Sequence, residues 1–83
     1  MDTKILTDIF YQSIGSFAIV EFKASNGSNI TAIGILREVD RSSGDILIIH
    51  RDTPGKVWGL NVSHVVSYHF EPLKELNKEE EQG

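Results

Sequence analysis

Apolar residues near the start of the chain recur at the spacing of a helix, whereas those farther along recur at the spacing of strands. Five apolar residues fall on one face of the predicted helix: Ile5, Leu6, Ile9, Phe10 and Ile14. This stripe predicts an amphipathic α-helix over residues 3–14. Gly15 follows directly and is suited to end the helix in a left-handed backbone conformation.

Five short segments farther along are rich in β-branched and aromatic residues and are separated by turn-forming residues. The predicted strands are residues 17–23, 30–40, 46–50, 56–60 and 64–70. Asn26-Gly27 between the first two strands is a strong hairpin signal, and Gly34 inside the second predicts a sharp bend or a bulge. The order predicts an all-β fold, a small five-stranded, strongly bent barrel with an N-terminal helix.

Charge is distributed unevenly and divides the chain into a domain and a tail. The net charge is −4, and residues 71–83 hold five acidic residues against two lysines. Residues 1–70 are close to neutral. We therefore expect one barrel domain over residues 1–70, a flexible acidic tail over residues 71–83, and no broadly basic surface for nucleic acid.

The size of the chain limits how it can be stabilised. With 83 residues it buries only a modest core, and without cysteine it has no disulfide to add. Oligomerisation is the remaining route to more buried surface. No apolar run reaches the ~20 residues of a membrane span, and the N-terminus lacks the apolar core of a secretory signal. We expect a cytoplasmic protein with no membrane partner.

The polar residues do not form a recognisable catalytic pattern. The sequence shows no nucleophile–base spacing, no glycine-rich phosphate loop and no paired carboxylates. Its three histidines are scattered and stand without cysteine, so no metal site is predicted. We expect no catalytic residue, no cofactor and no small-molecule substrate, and hence a protein that is not an enzyme.

Segments spread over residues 5–70 resemble motifs of the Sm/Lsm family, which includes bacterial Hfq. Four segments carry the resemblance: residues 20–27, 34–40, 46–49 and 60–68. In order, they are similar to the Val-Glu-Leu-Lys-Asn-Gly strand and turn, the Gly-x-Leu-x-x-x-Asp motif, its following apolar strand, and the Ile-Arg-Gly-x-x-Val-x-x-Ile motif. The first match needs Ala24 and Ser25 as an insertion. The resemblance implies a ring of copies that binds single-stranded RNA where turns 41–45 and 61–64 meet at the pore.

Two positions depart from the family pattern in those turns. Asn61 and Val62 replace the Arg-Gly of the second motif, and Gly44 replaces the asparagine of the first turn. The resemblance places candidate RNA contacts at four residues: Arg41, Ser42, Asn61 and His64. Ser42 cannot stack a base and Asn61 carries no charge, so the resemblance supports the ring more strongly than it supports uridine-specific binding.

The last two predicted strands are suited to pair with other copies. An incompletely sealed five-stranded barrel leaves edge strands with unpaired N–H and C=O groups. Both strands are apolar and lack proline, and Lys56 is their one charge. Pairing one copy's fourth strand with the next copy's fifth is a heterologous contact that closes a ring when the rotation allows. The predicted interface residues are Val57, Trp58, Leu60, Val65, Val66 and Tyr68.

The sequence leaves three functions open and does not fix the number of copies. The first is an Sm-like homo-oligomeric ring that binds single-stranded RNA at its pore. The second is a scaffold or protein-interaction ring without RNA binding, favoured by the missing Arg-Gly and the acidic tail. The third is a monomeric SH3-like barrel that docks a peptide on its aromatic residues.

Overall fold

The computed structural model describes residues 3–53 and 55–71, which form one α-helix, five β-strands and one 3-10 helix. The elements are α1 Thr3–Gln12, β1 Phe17–Lys23, β2 Asn29–Val39, β3 Asp45–His50, β4 Val57–Asn61, the 3-10 helix Val62–His64, and β5 Val65–Glu71. The predicted helix and five strands are confirmed, each boundary within two residues of its predicted position. Of the predicted tail, Glu71 ends β5 and the rest lies outside the described residues.

Helix α1 is shorter and less deeply buried than its apolar stripe predicts. It ends at Gln12, and Gly15 then adopts a φ of +96°, as predicted. The Gly15 N–H donates a hydrogen bond to the carbonyl oxygen of Leu36 at 2.8 Å, which joins the end of the helix region to β2. Ile5 and Ile14 are 59% and 42% exposed, so the buried face of the helix is narrower than the stripe.

The five strands form one antiparallel sheet that stays open. Its order is β4-β3-β2-β1-β5, and no pairing joins β4 to β5 among the described residues. The five strands therefore do not close into the predicted barrel. The reason lies at residues 62–64, where a 3-10 helix takes the place of a hairpin turn. The chain leaves β4 at one edge of the sheet and re-enters it as β5 at the other.

Strand β2 is long and changes partner along its length. Its first part pairs with β1 and its second part with β3, the two overlapping at Gly34 and Ile35. Of the two alternatives predicted at Gly34, a bend or a bulge, the bulge is not there: the register with β3 skips Arg37, between Leu36 and Glu38. Gly34 is needed for another reason. A Cβ there would overlap the carbonyl group of Ile49, because β2 and β3 approach closely at this position.

The core lies on one face of the sheet, where alternate residues of the strands point inward. Its buried apolar residues are Leu6, Phe10, Ala18, Val20, Phe22, Ala32, Leu36, Ile46, Ile48, Leu60 and Val62. Phe10 anchors α1 on this face, with ring centroids 5.3 Å from Tyr68 and 5.0 Å from Phe70. Within the described ranges, no helix is long and apolar enough to cross a membrane.

Candidate functional site

The two turns that carry the predicted RNA contacts lie side by side. We call residues 40–45 and 61–64 together the two-turn site. The side-chain amide of Asn61 joins them, because its Nδ2 group donates to the carbonyl oxygen of Ser43 at 3.0 Å and to Oδ1 of Asp45 at 2.9 Å. The proximity of the turns, which the resemblance implied, is therefore present within a single copy.

Backbone contacts reinforce the same junction. The Val62 N–H donates to the carbonyl oxygen of Gly44 at 2.9 Å, and the Ser63 N–H donates to Asn61 Oδ1 at 3.0 Å. Gly44 has a φ of +83°, and a Cβ there would lie 2.7 Å from Cγ1 of Val62. Position 44, where the resemblance would place an asparagine, therefore requires the backbone freedom and small size of glycine.

The first turn is ordered by its own aspartate. One carboxylate oxygen of Asp40 accepts hydrogen bonds from the Ser42 N–H at 2.9 Å, the Ser42 hydroxyl at 2.7 Å and the Ser43 N–H at 3.2 Å. This arrangement is an Asx-type turn. These bonds, the Ser42 hydroxyl first among them, hold the pKa of Asp40 below its ordinary value, because they favour the charged carboxylate.

A groove of about 480 Å³ lies between the two-turn site and the start of α1, and we call it the helix-face groove. Its charged lining residues are Lys4 and Arg41, both cations. Its hydroxyl-bearing residues are Thr3, Thr7, Ser42, Ser43 and Ser63. Hydroxyls and cations are the groups that contact phosphate oxygens, so this groove offers side chains of the kind that bind a nucleic-acid backbone.

Arg41 is held along the surface of α1. Its guanidinium lies 3.3 Å from a carboxylate oxygen of Asp8 and 4.8 Å above the ring of Tyr11. The Arg41 side chain is 60% exposed. These contacts hold the guanidinium against Asp8 and Tyr11 of α1, while Arg41 also lines the helix-face groove.

A second groove, which we call the edge groove, lies on the other side of the two-turn site and has about 700 Å³. Its acidic lining residues are Glu38, Asp40 and Asp45, and its lining includes no lysine or arginine. Its apolar floor comes from β2, β3 and β4. His64 lines this groove and not the helix-face groove. The four predicted RNA contacts therefore divide: Arg41 and Ser42 face one groove, His64 the other, and Asn61 borders both.

The six predicted interface residues differ in exposure. Val57 on β4 and Val66 on β5 are half-exposed, at 50% and 52%, and Tyr68 is 36% exposed. Leu60 is buried in the core, and Val65 is partly buried against it. Two exposed valines thus stand on the two opposite edges of the sheet.

Trp58 lies among aromatic neighbours on β4. Its ring stacks on His50 at a centroid distance of 5.8 Å and meets Phe22 edge-on at 6.3 Å. Its indole Nε1 is buried and has no hydrogen-bond partner among the described residues. The ring is half-buried against the core, an arrangement that offers little free face for a nucleobase.

Sequence reasoning missed the helix residues beside the site. Lys4, Asp8 and Tyr11 are spaced by four and three positions, which places them on one side of α1. That spacing is visible in the sequence. Nothing local, however, shows that this side meets Arg41, which is 33 residues from Asp8.

No family model, curated protein or solved structure gives a match to this chain. In residues 3–53 and 55–71, no group of three or more histidine, cysteine or acidic side chains is placed to hold a metal ion. Function is therefore inferred from the chain's own edges, grooves and turns.

Proposed function

We propose that the chain is an Sm-like protein that assembles through β4 and β5 into a closed homo-oligomeric ring and binds single-stranded RNA at the two-turn site. The observation that carries the proposal is the open sheet, whose β4 and β5 edges lie on opposite sides. In this proposal, the protein acts in the cytoplasm by binding RNA. It has no catalytic activity, no cofactor and no small-molecule substrate.

The two edges offer complementary backbone groups. An edge strand leaves every second residue with an unpaired N–H and C=O group. Neither β4 nor β5 contains proline, and their one acidic side chain is Glu71 at the end of β5. Val57 and Val66 add exposed apolar surface to the two edges. Joining β4 of one copy to β5 of the next uses both edges of every copy.

This pairing gathers the two-turn sites. The site follows the end of β4 and precedes the start of β5. In an antiparallel pair, the end of one strand lies beside the start of its partner. Each junction between copies therefore places one two-turn site next to another. Repetition around a ring converts one weak contact per copy into several per assembly, which raises avidity.

The RNA contact is assigned to the helix-face groove. Lys4 and Arg41 are cations, and the hydroxyls of Ser43 and Ser63 add neutral donors. The edge groove carries three carboxylates and repels phosphate. Because the binding depends on phosphate charge, the affinity falls as salt rises.

Assembly is tested by light scattering on a sizing column. The wild-type chain elutes as a species several times its 9.3 kDa mass. Val57→Asp and Val66→Asp each place a charge on one edge and shift the chain toward monomer. Ile14→Asp is the matched control, because Ile14 is also exposed but lies off both edges. A wild-type species of 9.3 kDa would rule out the ring.

RNA binding is tested by fluorescence anisotropy with labelled oligo-U, oligo-A and oligo-C at low and moderate salt. We expect micromolar or tighter binding that weakens as salt increases. Absence of binding to every oligonucleotide at micromolar protein refutes the RNA half of the proposal.

A scaffold ring without RNA binding is the second candidate, and the edge groove favours it. Glu38, Asp40 and Asp45 make this groove acidic over an apolar floor, a combination suited to protein rather than nucleic-acid ligands. A ring that assembles normally but binds no oligonucleotide would support this alternative.

A further inference from the structure

Both N–H donors of the Asn61 side chain are engaged in hydrogen bonds within the molecule. A neutral amide has two N–H donors and one carbonyl oxygen. Both donor interactions are used, toward the Ser43 carbonyl oxygen at 3.0 Å and Asp45 Oδ1 at 2.9 Å. The amide oxygen accepts the Ser63 N–H at 3.0 Å. Asn61 therefore has no N–H left with which to read the edge of a base.

The hydroxyls of Ser42 and Ser43 also make hydrogen bonds within the molecule. The Ser42 hydroxyl donates to Asp40 at 2.7 Å, and Ser43 Oγ accepts the Asp45 N–H at 3.2 Å. A serine hydroxyl can pair with any base and so distinguishes none. The described lining of the helix-face groove includes no aromatic side chain. A base entering this groove meets neither a stacking platform nor a selective donor.

We propose that Asn61 is a positioning residue that fixes the two turns together, and that the two-turn site therefore binds RNA through its phosphates without selecting the base. The inference rests on the proposed function, because it concerns how the same site recognises RNA. The cations Lys4 and Arg41 serve the phosphates, and the clamp between Asn61 and Asp45 keeps the helix-face groove in shape.

The first experiment compares four 5′-labelled oligonucleotides of equal length, oligo-U, oligo-A, oligo-C and an unstructured G-containing strand, at one salt concentration. We expect their dissociation constants to agree within roughly threefold. Asn61→Ala weakens all four equally, by about tenfold, since a positioning residue affects every ligand alike. Asn26→Ala is the matched control, because Asn26 also caps a turn but lies in the β1–β2 hairpin.

A reciprocal exchange separates positioning from a general structural role. Asn61→Asp sets two carboxylates against each other and opens the junction. Adding Asp45→Asn restores an amide–carboxylate hydrogen bond in the reverse direction, with the net charge of the wild type. We expect this double variant to recover most of the RNA affinity lost in Asn61→Asp. Hydrogen exchange of the Val62 amide, which donates to Gly44, reports the junction directly.

The outcomes separate this inference from the function on which it rests. A preference of tenfold or more for one base that disappears in Asn61→Ala would overturn it, because Asn61 would then read that base. Unchanged Val62 exchange in Asn61→Ala, or a double variant no better than Asn61→Asp, would overturn the clamp. If the wild type binds none of the oligonucleotides, the proposed function itself fails, whereas Val62 exchange still decides whether the clamp exists.

Discussion

Replacing Gly34 with alanine tests the close approach of β2 to β3. A Cβ at this position would lie 2.7 Å from the carbonyl carbon of Ile49 and closer still to its oxygen, where real Cβ contacts under 3.0 Å essentially never occur. The φ of Gly34 is not positive, so the cost comes from this contact and not from the backbone conformation. The two strands must separate to admit the methyl group.

The expected loss follows from that separation. Overpacking costs about 1–3 kcal/mol, and each weakened backbone hydrogen bond adds about 1 kcal/mol. The bond from the Arg51 N–H to the Ile33 carbonyl oxygen is directly affected, because the added Cβ would also lie 3.2 Å from the Arg51 nitrogen. Removing a flexible glycine returns roughly 0.5–1 kcal/mol. We expect Gly34→Ala to lower the free energy of unfolding by about 2–3 kcal/mol and Tm by about 10–20 °C.

The assay is thermal unfolding followed by circular dichroism, at one protein concentration because assembly shifts apparent stability. Gly59→Ala is the matched control, since a Cβ at Gly59 meets only Leu47 Cδ2 at 3.9 Å, an ordinary contact. Its Tm should change by no more than about 4 °C. Equal Tm values for the two variants would show that β2 and β3 are not in the close contact described.

Two further predictions concern the two-turn site. Ser42→Ala should raise the pKa of Asp40 toward its ordinary value in an NMR titration, because the Ser42 hydroxyl is the main group that lowers it. Because its pKa is lower in the folded state, the Asp40 carboxylate stabilises the fold at pH values above its unfolded-state pKa of about 3.9. That contribution disappears as the pH falls through the folded-state pKa. An unchanged Asp40 titration would contradict the turn geometry. Gly44→Ala should destabilise by about 2–3 kcal/mol, whereas Gly55→Ala, with a φ of +93° but no atom within 4 Å, should cost only about 1 kcal/mol in urea unfolding.

The helix and the five strands could be predicted from sequence, but the open arrangement of the sheet, with β4 and β5 at its two edges, could not. Alternating apolar residues and the turn signals located every strand to within two residues. The open sheet depends on the path of residues 62–64, whose three-residue 3-10 helix has no distinctive sequence signal. Gly34 shows that an interior glycine can have a cause other than the bulge it suggested. It marks a close backbone approach, and the bulge falls at Arg37, which no residue preference identifies.

The candidate site was predictable only in outline. The resemblance predicted that the two turns lie together, and the hydrogen bonds of the Asn61 side chain join them. The contacts of Arg41 with Asp8 and Tyr11 could not be predicted, because they depend on how α1 packs on the sheet. His64 lines the edge groove, whose lining does not include Arg41.

The pairing of β1 with β5 affects how the chain folds during synthesis. Strand β1 is made first among the strands, yet one of its two neighbours is the last strand made. Until residues 65–71 leave the ribosome, one border of β1 has no partner, and Phe10 lacks the rings of Tyr68 and Phe70. Folding is therefore completed only after most of the chain has been translated. A nascent chain stalled before residue 65 exposes the unpaired edge of β1 and the uncovered ring of Phe10, and is therefore prone to aggregate.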